Sequence, residues 1–408
     1  MFQKFMFRHL KHRHFWRHKD FDELSELYIS NLFRGLALSL TGLFIPIYML
    51  RLHYSLVSVL SLVAWYFTFR CLIGDLLSGW TVAKIGPKHS LLVGYIILIA
   101  STTMFLSQPS QYWPIWLLGG IWGVSNSFFF IPFNVDFSKI KHSKHGGKEL
   151  SFVYIMEKVG WAIGPLLGGL VGTLFGAQYI FLVAGVLLLI GAIPMFTTGE
   201  PVKLDQKLNF ESLKADKLLY DALSFGAIGV ENSITLYMWP LFLGLFVLTG
   251  SSVYAKLGIL TSLSVVISVA ASRYFGQIID HKKGREILRS FAAVNAIIHL
   301  VRPLVTNFVG AFGINVANEL ATPGYRMPYF KALYDAADDL PGHRIVYLTS
   351  MEMIASTAKA TMWWFLAALA TLFSARTITT TGFAIGAIAS LMIMSERFRS
   401  LASKAAKS

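Results

Sequence analysis

The hydrophobic positions of this chain form long unbroken runs that are separated by short polar or basic segments. A helix of about 20 apolar residues crosses the ~30 Å hydrocarbon core of a membrane, because each residue advances it by about 1.5 Å. Strands of a membrane barrel would instead alternate apolar and polar residues over about ten positions. We predict an all-α membrane protein with twelve spans, at 28–50, 55–80, 89–107, 112–133, 150–173, 178–197, 221–246, 254–277, 286–305, 308–330, 345–373 and 377–396.

The polar segments differ in length and charge according to their position. Segments after odd-numbered spans are very short, whereas those after even-numbered spans are longer and basic. Of the 36 Lys and Arg residues, 28 lie in or beside the even-numbered segments and the two chain ends. Cytoplasmic loops carry such an excess, so both termini are predicted to be cytoplasmic. Residues 1–27 lack an apolar signal-peptide region and, like 397–408, are predicted to be a cytoplasmic tail, the former lying on anionic lipid.

Composition excludes several other classes of protein. The chain is 55% hydrophobic and only 14% charged, with a mean hydropathy of +0.57, which is more apolar surface than a soluble core can bury. Its net charge of +14 is concentrated at the predicted membrane surface, so a nucleic-acid partner is not expected. The single cysteine, Cys71, excludes a disulfide framework, and no metal or cofactor site is predicted.

Positions in the first half of the chain recur in the second half at nearly constant spacing. The matching positions are Gly35 with Gly229, Glu157 with Glu352, and Gly79 with Gly276, offset by 194, 195 and 197 residues. We therefore predict two pseudo-symmetric six-helix bundles, 28–197 and 221–396, joined by a cytoplasmic linker at 198–220 that is either a tether or a short surface helix. Repeats of this kind in transporters enclose a solute site near the middle of the membrane.

Two short basic turns occupy equivalent places in the repeat. Gly79 to Lys88 reads Gly-Trp-Thr-Val-Ala-Lys-Ile-Gly-Pro-Lys, and Gly276 to Arg285 reads Gly-Gln-Ile-Ile-Asp-His-Lys-Lys-Gly-Arg. Both resemble the Gly-x-x-x-Asp-[Arg/Lys]-x-Gly-[Arg/Lys] loop of the major facilitator superfamily (MFS) of secondary transporters. Ala83 replaces the aspartate in the first copy, and the second copy has one extra residue before its second glycine. The cytoplasmic gate and motif residues implied by the resemblance and the repeat are Asp75, Gly79, Lys84, Gly86, Lys88, Glu157, Gly276, Asp280, Gly284, Arg285 and Glu352.

The fifth span contains small residues at every fourth position around a proline. Gly160-Trp-Ala-Ile-Gly164-Pro165-Leu-Leu-Gly168-Gly169 allows close helix packing and a local bend. The run resembles the fifth-helix signature of drug:proton antiporters in the superfamily. The alternative interpretation is a packing seam that is unrelated to the direction of transport.

Ionisable residues within the spans are costly unless they are paired or face water. Glu231 and Glu319 lie about halfway along spans seven and ten, which line the cavity in the family, and both are candidates for proton coupling. The alternatives are a fixed ion pair with Lys359 or an interhelical hydrogen bond. Arg34 is predicted either to meet an anion or Glu157, or to extend to the cytoplasmic surface. The substrate-cavity candidates are Arg34, Asn126, Asn232, Tyr237, Asn315, Asn318 and Lys359.

The resemblance implies a monomeric carrier of the plasma membrane rather than an enzyme. The expected function is secondary active transport of a small organic solute by alternating access, coupled to protons and with efflux by antiport as one possibility. A nutrient importer for a sugar or organic anion, and a non-transporting membrane protein of the same fold, are the alternatives.

Overall fold

The computed structural model describes residues 18–140, 146–196, 199, 208, 210, 215–248, 250, 252–280, 284–338 and 343–401. These residues form helices joined by short turns, and no strand occurs among them. In chain order the helices of the first half are α1 (His18–Gly42 and Ile45–Arg51), α2 (Leu56–Phe69, Arg70–Gly74 and Asp75–Ile85), α3 (Pro87–Gln111), α4 (Ile115–Ile140), α5 (Gly146–Leu174) and α6 (Tyr179–Ala192 and Ile193–Phe196).

The second half repeats this succession of helices. They are α7 (Ala215–Ser233, Ile234–Met238, Trp239–Phe242 and Leu243–Val247), α8 (Val253–Asp280), α9 (Gly284–Val301 and Arg302–Leu304), α10 (Phe308–Asp338), α11 (Arg344–Leu369) and α12 (Ala375–Met392 and Ile393–Ser395). Arg70–Gly74, Ile234–Met238 and Leu243–Val247 are π-helical, which is common at functional positions in helices.

Each helix overlaps one predicted span, although several ends differ. The predicted loop 81–88 is mostly helical, and only Gly86 separates α2 from α3. Helix α7 begins at Ala215, inside the predicted linker, while most of 198–214 lies outside the described residues. Seven of the described helices are long and apolar enough to cross a membrane, and shorter apolar helices occupy Tyr179–Met195 and Val253–Ile267.

The same helix pairs are in contact in both halves of the chain. In the first half α1 packs on α5 and α6, α2 on α4, and α3 on α4 and α6. In the second half α7 packs on α11 and α12, α8 on α10, and α9 on α10 and α12. Equivalent glycines serve equivalent contacts, since Gly35 lies against the backbone of Glu157 and Gly229 against Ala355. The sequence repeat is therefore also a repeat of packing.

Helices from the two halves meet along two long seams and at both ends of the molecule. The seams are α5 with α8 and α2 with α11. At one end of the molecule, the guanidinium of Arg51, the last residue of α1, donates to the carbonyl oxygen of Gly250, which follows α7. At the other end of the molecule, near the C-terminal ends of α4 and α10, the Tyr334 hydroxyl donates to Asn134 Oδ1 over 2.7 Å. Large apolar side chains such as Leu72 and Val309 are exposed on the outside, as a surface in lipid requires.

Candidate functional site

A cavity of about 290 Å³ lies between the two halves. Its walls come from α1, α2, α4 and α5 of the first half and from α7, α8, α10 and α11 of the second, and no residue of α3, α6, α9 or α12 within the described ranges lines it. The polar and charged side chains that line it are Asn31, Arg34, Arg70, Asn126, Asn134, Glu157, Lys158, Glu231, Asn232, Ser233, Thr235, Thr261, Ser264, Asn315, Asn318, Glu319, Thr322, Arg326, Glu352 and Lys359. All nine residues predicted for the cavity or for proton coupling lie on these walls.

Arg34 is held on the first-half wall by an amide and an aromatic ring. Its Nη2 donates to Asn126 Oδ1 over 2.8 Å, and its guanidinium carbon lies 3.2 Å from the centre of the Phe129 ring. Asn126 is fixed in turn, because its Nδ2 donates to the carbonyl oxygen of Trp122. Arg34 is only 4% exposed and has no ion pair within the described part of the chain, so it neither reaches a surface nor pairs directly with Glu157.

Lys359 is a second cavity cation without an ion pair among the described residues. Its Nζ lies 4.8 Å from the centre of the Phe67 ring, a cation–π distance. Its methylene stem passes close to Gly229, where a Cβ would lie 3.3 Å from Cε. Neither Glu231 nor Glu319 pairs with it, so the expected ion pair with Lys359 is not formed. A buried ammonium group without a carboxylate is costly unless an anion or water meets it in the cavity.

Glu231 is held in a buried network that includes residues from behind the cavity wall. Its carboxylate accepts from the Tyr325 hydroxyl over 2.7 Å and from the Thr235 hydroxyl over 2.9 Å, and His299 Nε2 lies 3.3 Å away. Arg302 Nη1 lies 3.0 Å from His299 Nδ1. A guanidinium can only donate, so Nδ1 accepts and the His299 proton resides on Nε2, directed at Glu231. Of the two structural alternatives predicted for Glu231, the interhelical hydrogen bond is therefore the one observed, and the ion pair with Lys359 is not.

Glu319 has a single hydrogen-bonded partner within the described residues, and that partner belongs to the other half of the chain. Its Oε2 lies 2.6 Å from Lys158 Nζ. The two side chains are 17% and 14% exposed, more than those of the buried pairs of Arg70 and Lys88. No sequence pattern pairs them, because the residues are 161 positions apart on α5 and α10.

The remaining cavity candidates are engaged with their neighbours. Asn232 Oδ1 accepts from Arg326, Asn315 Oδ1 accepts from Trp239 Nε1, and Asn318 Oδ1 accepts from Arg302 Nη2 over 2.9 Å. Arg302, which the sequence places at the outer edge of a span, is fully buried here.

Tyr237 lies in an aromatic cluster on the cavity wall. Its ring centre is 5.5 Å from that of Trp122 and 6.1 Å from that of Tyr66. The Trp363 ring also contacts Tyr237, with 6.2 Å between the ring centres. Aromatic faces of this kind suit the apolar body of an organic solute.

A charged network between α2, α4 and α11 includes two residues of the cavity wall, Arg70 and Glu352. Arg70 Nη2 lies 2.9 Å from Glu352 Oε2 and 3.6 Å from Asp75 Oδ1. Asp75 also accepts from the hydroxyls of Ser127 and Ser356. Five residues is a poor spacing for a pair on an α-helix, yet the π turn Arg70–Gly74 brings both groups to one face. Glu157, the repeat partner of Glu352, instead lines the cavity without a hydrogen bond from the described residues.

The first basic turn packs against α11 and α1. Gly79 is helical, and a Cβ there would lie 2.5 Å from Thr349 Oγ1. Gly86 has φ = 88°, which favours glycine, and Lys88 Nζ lies 3.0 Å from Glu26 Oε2. Lys84 is exposed on the last turn of α2.

The second basic turn is described only in part. Gly276 and Asp280 lie outside the residues whose side chains are described. Gly284 packs on Leu401, and Arg285 Nε lies 2.7 Å from Glu396 Oε1. This turn therefore contacts the residues that follow α12.

The fifth-helix glycines form contacts with both halves. Gly160, Gly164 and Gly168 face α1, where Cβ atoms would meet Leu36, Ser39 and Phe44. Gly169 faces α8, where a Cβ would lie 2.8 Å from the carbonyl oxygen of Tyr254, and Pro165 contacts Gly258 of the same helix. The motif is a close-packing surface, as its small residues predict.

No group of three His, Cys, Asp or Glu side chains capable of holding a metal occurs within the described ranges. The structure is thus a helical membrane protein with a polar and aromatic chamber between two similarly packed halves. The model of the Major Facilitator Superfamily matches residues 27–323. The chain belongs to this superfamily, and the solved structures that it resembles are transporters rather than enzymes.

Solved structures with the same fold agree with this membership. The human organic anion transporter MFSD10 (TETRAN) superposes with a TM-score of 0.69 at 12% identity, covering 92% of this chain and 100% of that one. The fucose:proton symporter FucP of E. coli superposes with a TM-score of 0.64 at 13% identity, covering 91% of this chain and 96% of that one. A structure of FucP in the outward conformation also gives 0.64, at 14% identity. No curated protein sequence matches the chain.

Proposed function

We propose that this protein is a proton-coupled secondary transporter of a small organic anion. The observation that carries the proposal is the pair of cavity cations, Arg34 and Lys359, for which the described residues supply no ion pair. Two unpaired buried cations favour a ligand that brings negative charge. The aromatic cluster around Tyr237 would hold its apolar part.

The architecture proposed for this function is twelve spans in two six-helix bundles, 28–197 and 221–396, with the linker 198–220 between them. The matched helix contacts in the two halves support it. Both termini are proposed to be cytoplasmic, because the Lys and Arg excess is on that side. The protein would act as a monomer in the plasma membrane, opening the cavity to one side at a time.

Proton coupling would use one of the two cavity carboxyl groups, Glu231 or Glu319. Each lies on the wall of the chamber and contacts a basic side chain, His299 or Lys158. A symporter of protons and a transporter of organic anions both occur among the structures with this fold, so the two properties are compatible with it.

Uptake by reconstituted vesicles tests the anion proposal. The vesicles are offered a panel of monocarboxylates, dicarboxylates, neutral sugars and organic cations, with a proton gradient in either direction. The direction of the gradient that drives uptake also distinguishes symport with protons from antiport. We expect carboxylates to be transported and Arg34→Gln and Lys359→Gln each to weaken transport at least tenfold. Lys256→Gln, at an exposed lysine on α8, is the matched control and should transport as the wild type does. Transport of sugars or cations in preference to carboxylates would refute the proposal.

The coupling proposal is tested on the same vesicles. Glu231→Gln and Glu319→Gln are compared for gradient-driven uptake and for exchange of solute at equal pH on both sides. The coupling carboxyl should be the one whose variant loses gradient-driven uptake but retains exchange. If both variants keep proton-driven uptake unchanged, neither carboxyl couples transport to protons.

A further inference from the structure

The ion pair between Lys158 and Glu319 is unusual among the charged contacts of this protein. It joins α5 to α10 across the cavity, with 2.6 Å between Nζ and Oε2. Within the described part of the chain neither side chain has another hydrogen bond. Both line the chamber in which solute would bind. A change in the charge of either residue would therefore affect both the bound solute and the contact between the two halves.

The other paired cavity carboxylates have several donors each. Glu231 contacts Tyr325, Thr235 and His299, and Glu352 accepts from Arg70 and lies 3.4 Å from Asn134 Nδ2. Each additional donor stabilises the ionised form and opposes protonation. Glu319 has one partner among the described residues, Lys158, and another anion could bind Lys158 in place of Glu319.

We propose that Lys158 and Glu319 form the coupling site, in which a proton and the anionic group of the solute together replace the ion pair. A proton that binds Glu319 neutralises it, and Lys158 is then left unpaired in the chamber. The solute carboxylate takes the place of Glu319 on Lys158. One proton and one negative charge enter together, so the net charge of the site does not change. This inference rests on the proposed transport of an organic anion.

A comparison with the other charged groups of the cavity indicates that Glu319 is the carboxyl best suited to this exchange. Among the described residues of the helices packed on α10, those of α8 that line the cavity are Thr261 and Ser264, and α4 contributes no charged group to the cavity. The α9 residues His299 and Arg302 are directed at Glu231 and Asn318. The charged groups of the other neighbours are Glu157 on α5, Glu231 on α7, and Glu352 and Lys359 on α11, with Arg326 on α10 itself. Glu157 is the one competing carboxyl that lacks a hydrogen bond from the described residues.

Binding of benzoate to the purified full-length protein tests the exchange. Trp122, Trp161 and Trp239 line the cavity, so intrinsic fluorescence can report binding. Linkage of one proton to one anion predicts that wild-type affinity falls as the pH rises from about 6 to about 8, by at most about tenfold per pH unit. In Glu319→Gln, which resembles the protonated state, affinity should be high and independent of pH. In Lys158→Gln it should be at least tenfold weaker than the wild type at the acid end.

Further variants distinguish this exchange from a general effect of charge in the cavity. Glu157→Gln should retain the pH dependence, and the exposed Glu286→Gln should behave as the wild type. The double variant Lys158→Gln/Glu319→Gln removes both charges and leaves no unpaired lysine at position 158, so a normally folded protein is expected, with weak binding that does not change with pH. A pH dependence retained in Glu319→Gln or in the double variant, with binding to the wild type intact, would overturn the inference alone. Failure of the wild type to bind or transport any organic anion would overturn the proposed function, and the inference with it.

Discussion

Replacing Gly169 by alanine tests whether the α5–α8 seam depends on backbone contact. A Cβ at this position would lie 2.8 Å from the carbonyl oxygen of Tyr254 and 3.2 Å from the Cα of Ala255. Ordinary contact begins at 3.4 Å, so the first distance is short by about 0.6 Å. Both neighbours are backbone atoms, so no change of rotamer can relieve the contact and the helices must move apart.

The expected cost follows from this geometry. Extra methyl groups in well-packed interiors destabilise proteins by about 1–3 kcal/mol, and small residues at helix crossings in membranes provide the close approach itself. We expect Gly169→Ala to unfold at a lower temperature in detergent than the wild type. Transport should fall as well, because α5 and α8 belong to different halves, which in the proposed mechanism move against each other at this crossing.

A matched control is available on α10. Gly313 is helical, and a Cβ there meets nothing within 4 Å, so Gly313→Ala should leave the unfolding temperature unchanged or slightly raised. Thermal unfolding followed by fluorescence, and uptake by vesicles, are measured for both variants. Equal unfolding temperatures and equal transport for Gly169→Ala and Gly313→Ala would refute the claim that this seam is limited by backbone contact.

Three further changes have defined expectations. Gly386→Ala would place a Cβ 2.7 Å from His299 Nδ1 and displace the imidazole from its contacts with Glu231 and Arg302, so the variant should unfold at a lower temperature in detergent than Gly226→Ala, where the nearest atom is 3.6 Å away. Tyr334→Phe removes the hydroxyl that donates to Asn134 between α4 and α10, so the free energy of unfolding should fall by about 1–3 kcal/mol. An unchanged free energy of unfolding would mean that water replaces this hydrogen bond. Lys88→Gln removes the buried ammonium group that lies 3.0 Å from Glu26 Oε2 and should lower stability by about 3–5 kcal/mol, whereas Lys256→Gln should change it by less than about 0.5 kcal/mol.

The fold is largely predictable because the hydrocarbon core dictates the length and polarity of each helix. The repeat identifies equivalent positions, and Gly35 and Gly229 do pack against equivalent helices. The polar residues predicted for the cavity and for proton coupling all line one cavity, because ionisable and strongly polar groups within spans avoid lipid. Helix ends are less predictable, as the continuation of α2 to Ile85 shows, because a basic segment at the membrane surface can remain helical.

The partners of the cavity residues are not predictable from sequence, because they depend on the rotation of each helix about its axis. Lys158 and Glu319 are 161 residues apart, and nothing in either segment indicates the other. Sequence places Arg302 at a span edge, yet the short 3₁₀ turn Arg302–Leu304 directs it inward to His299 and Asn318. The spacing of Arg70 and Asp75 disfavours a pair, since an α-helix separates positions five apart and only the π turn unites them.

Among the described residues, two ion pairs join the two halves at the cavity, Arg70 with Glu352 and Lys158 with Glu319. They differ in the carboxylate that remains beside each cation if the halves separate. If α11 withdraws Glu352, Arg70 still has Asp75 on its own helix at 3.6 Å, so this guanidinium keeps a carboxylate nearby. If α10 withdraws Glu319, Lys158 loses its only hydrogen-bonded partner among the described residues. An uncompensated buried charge opposes movement by several kcal/mol. In the proposed exchange, the Arg70 guanidinium therefore keeps a carboxylate when its pair opens, whereas the Lys158 pair would open readily when an anion and a proton replace it, which is what the proposed coupling requires.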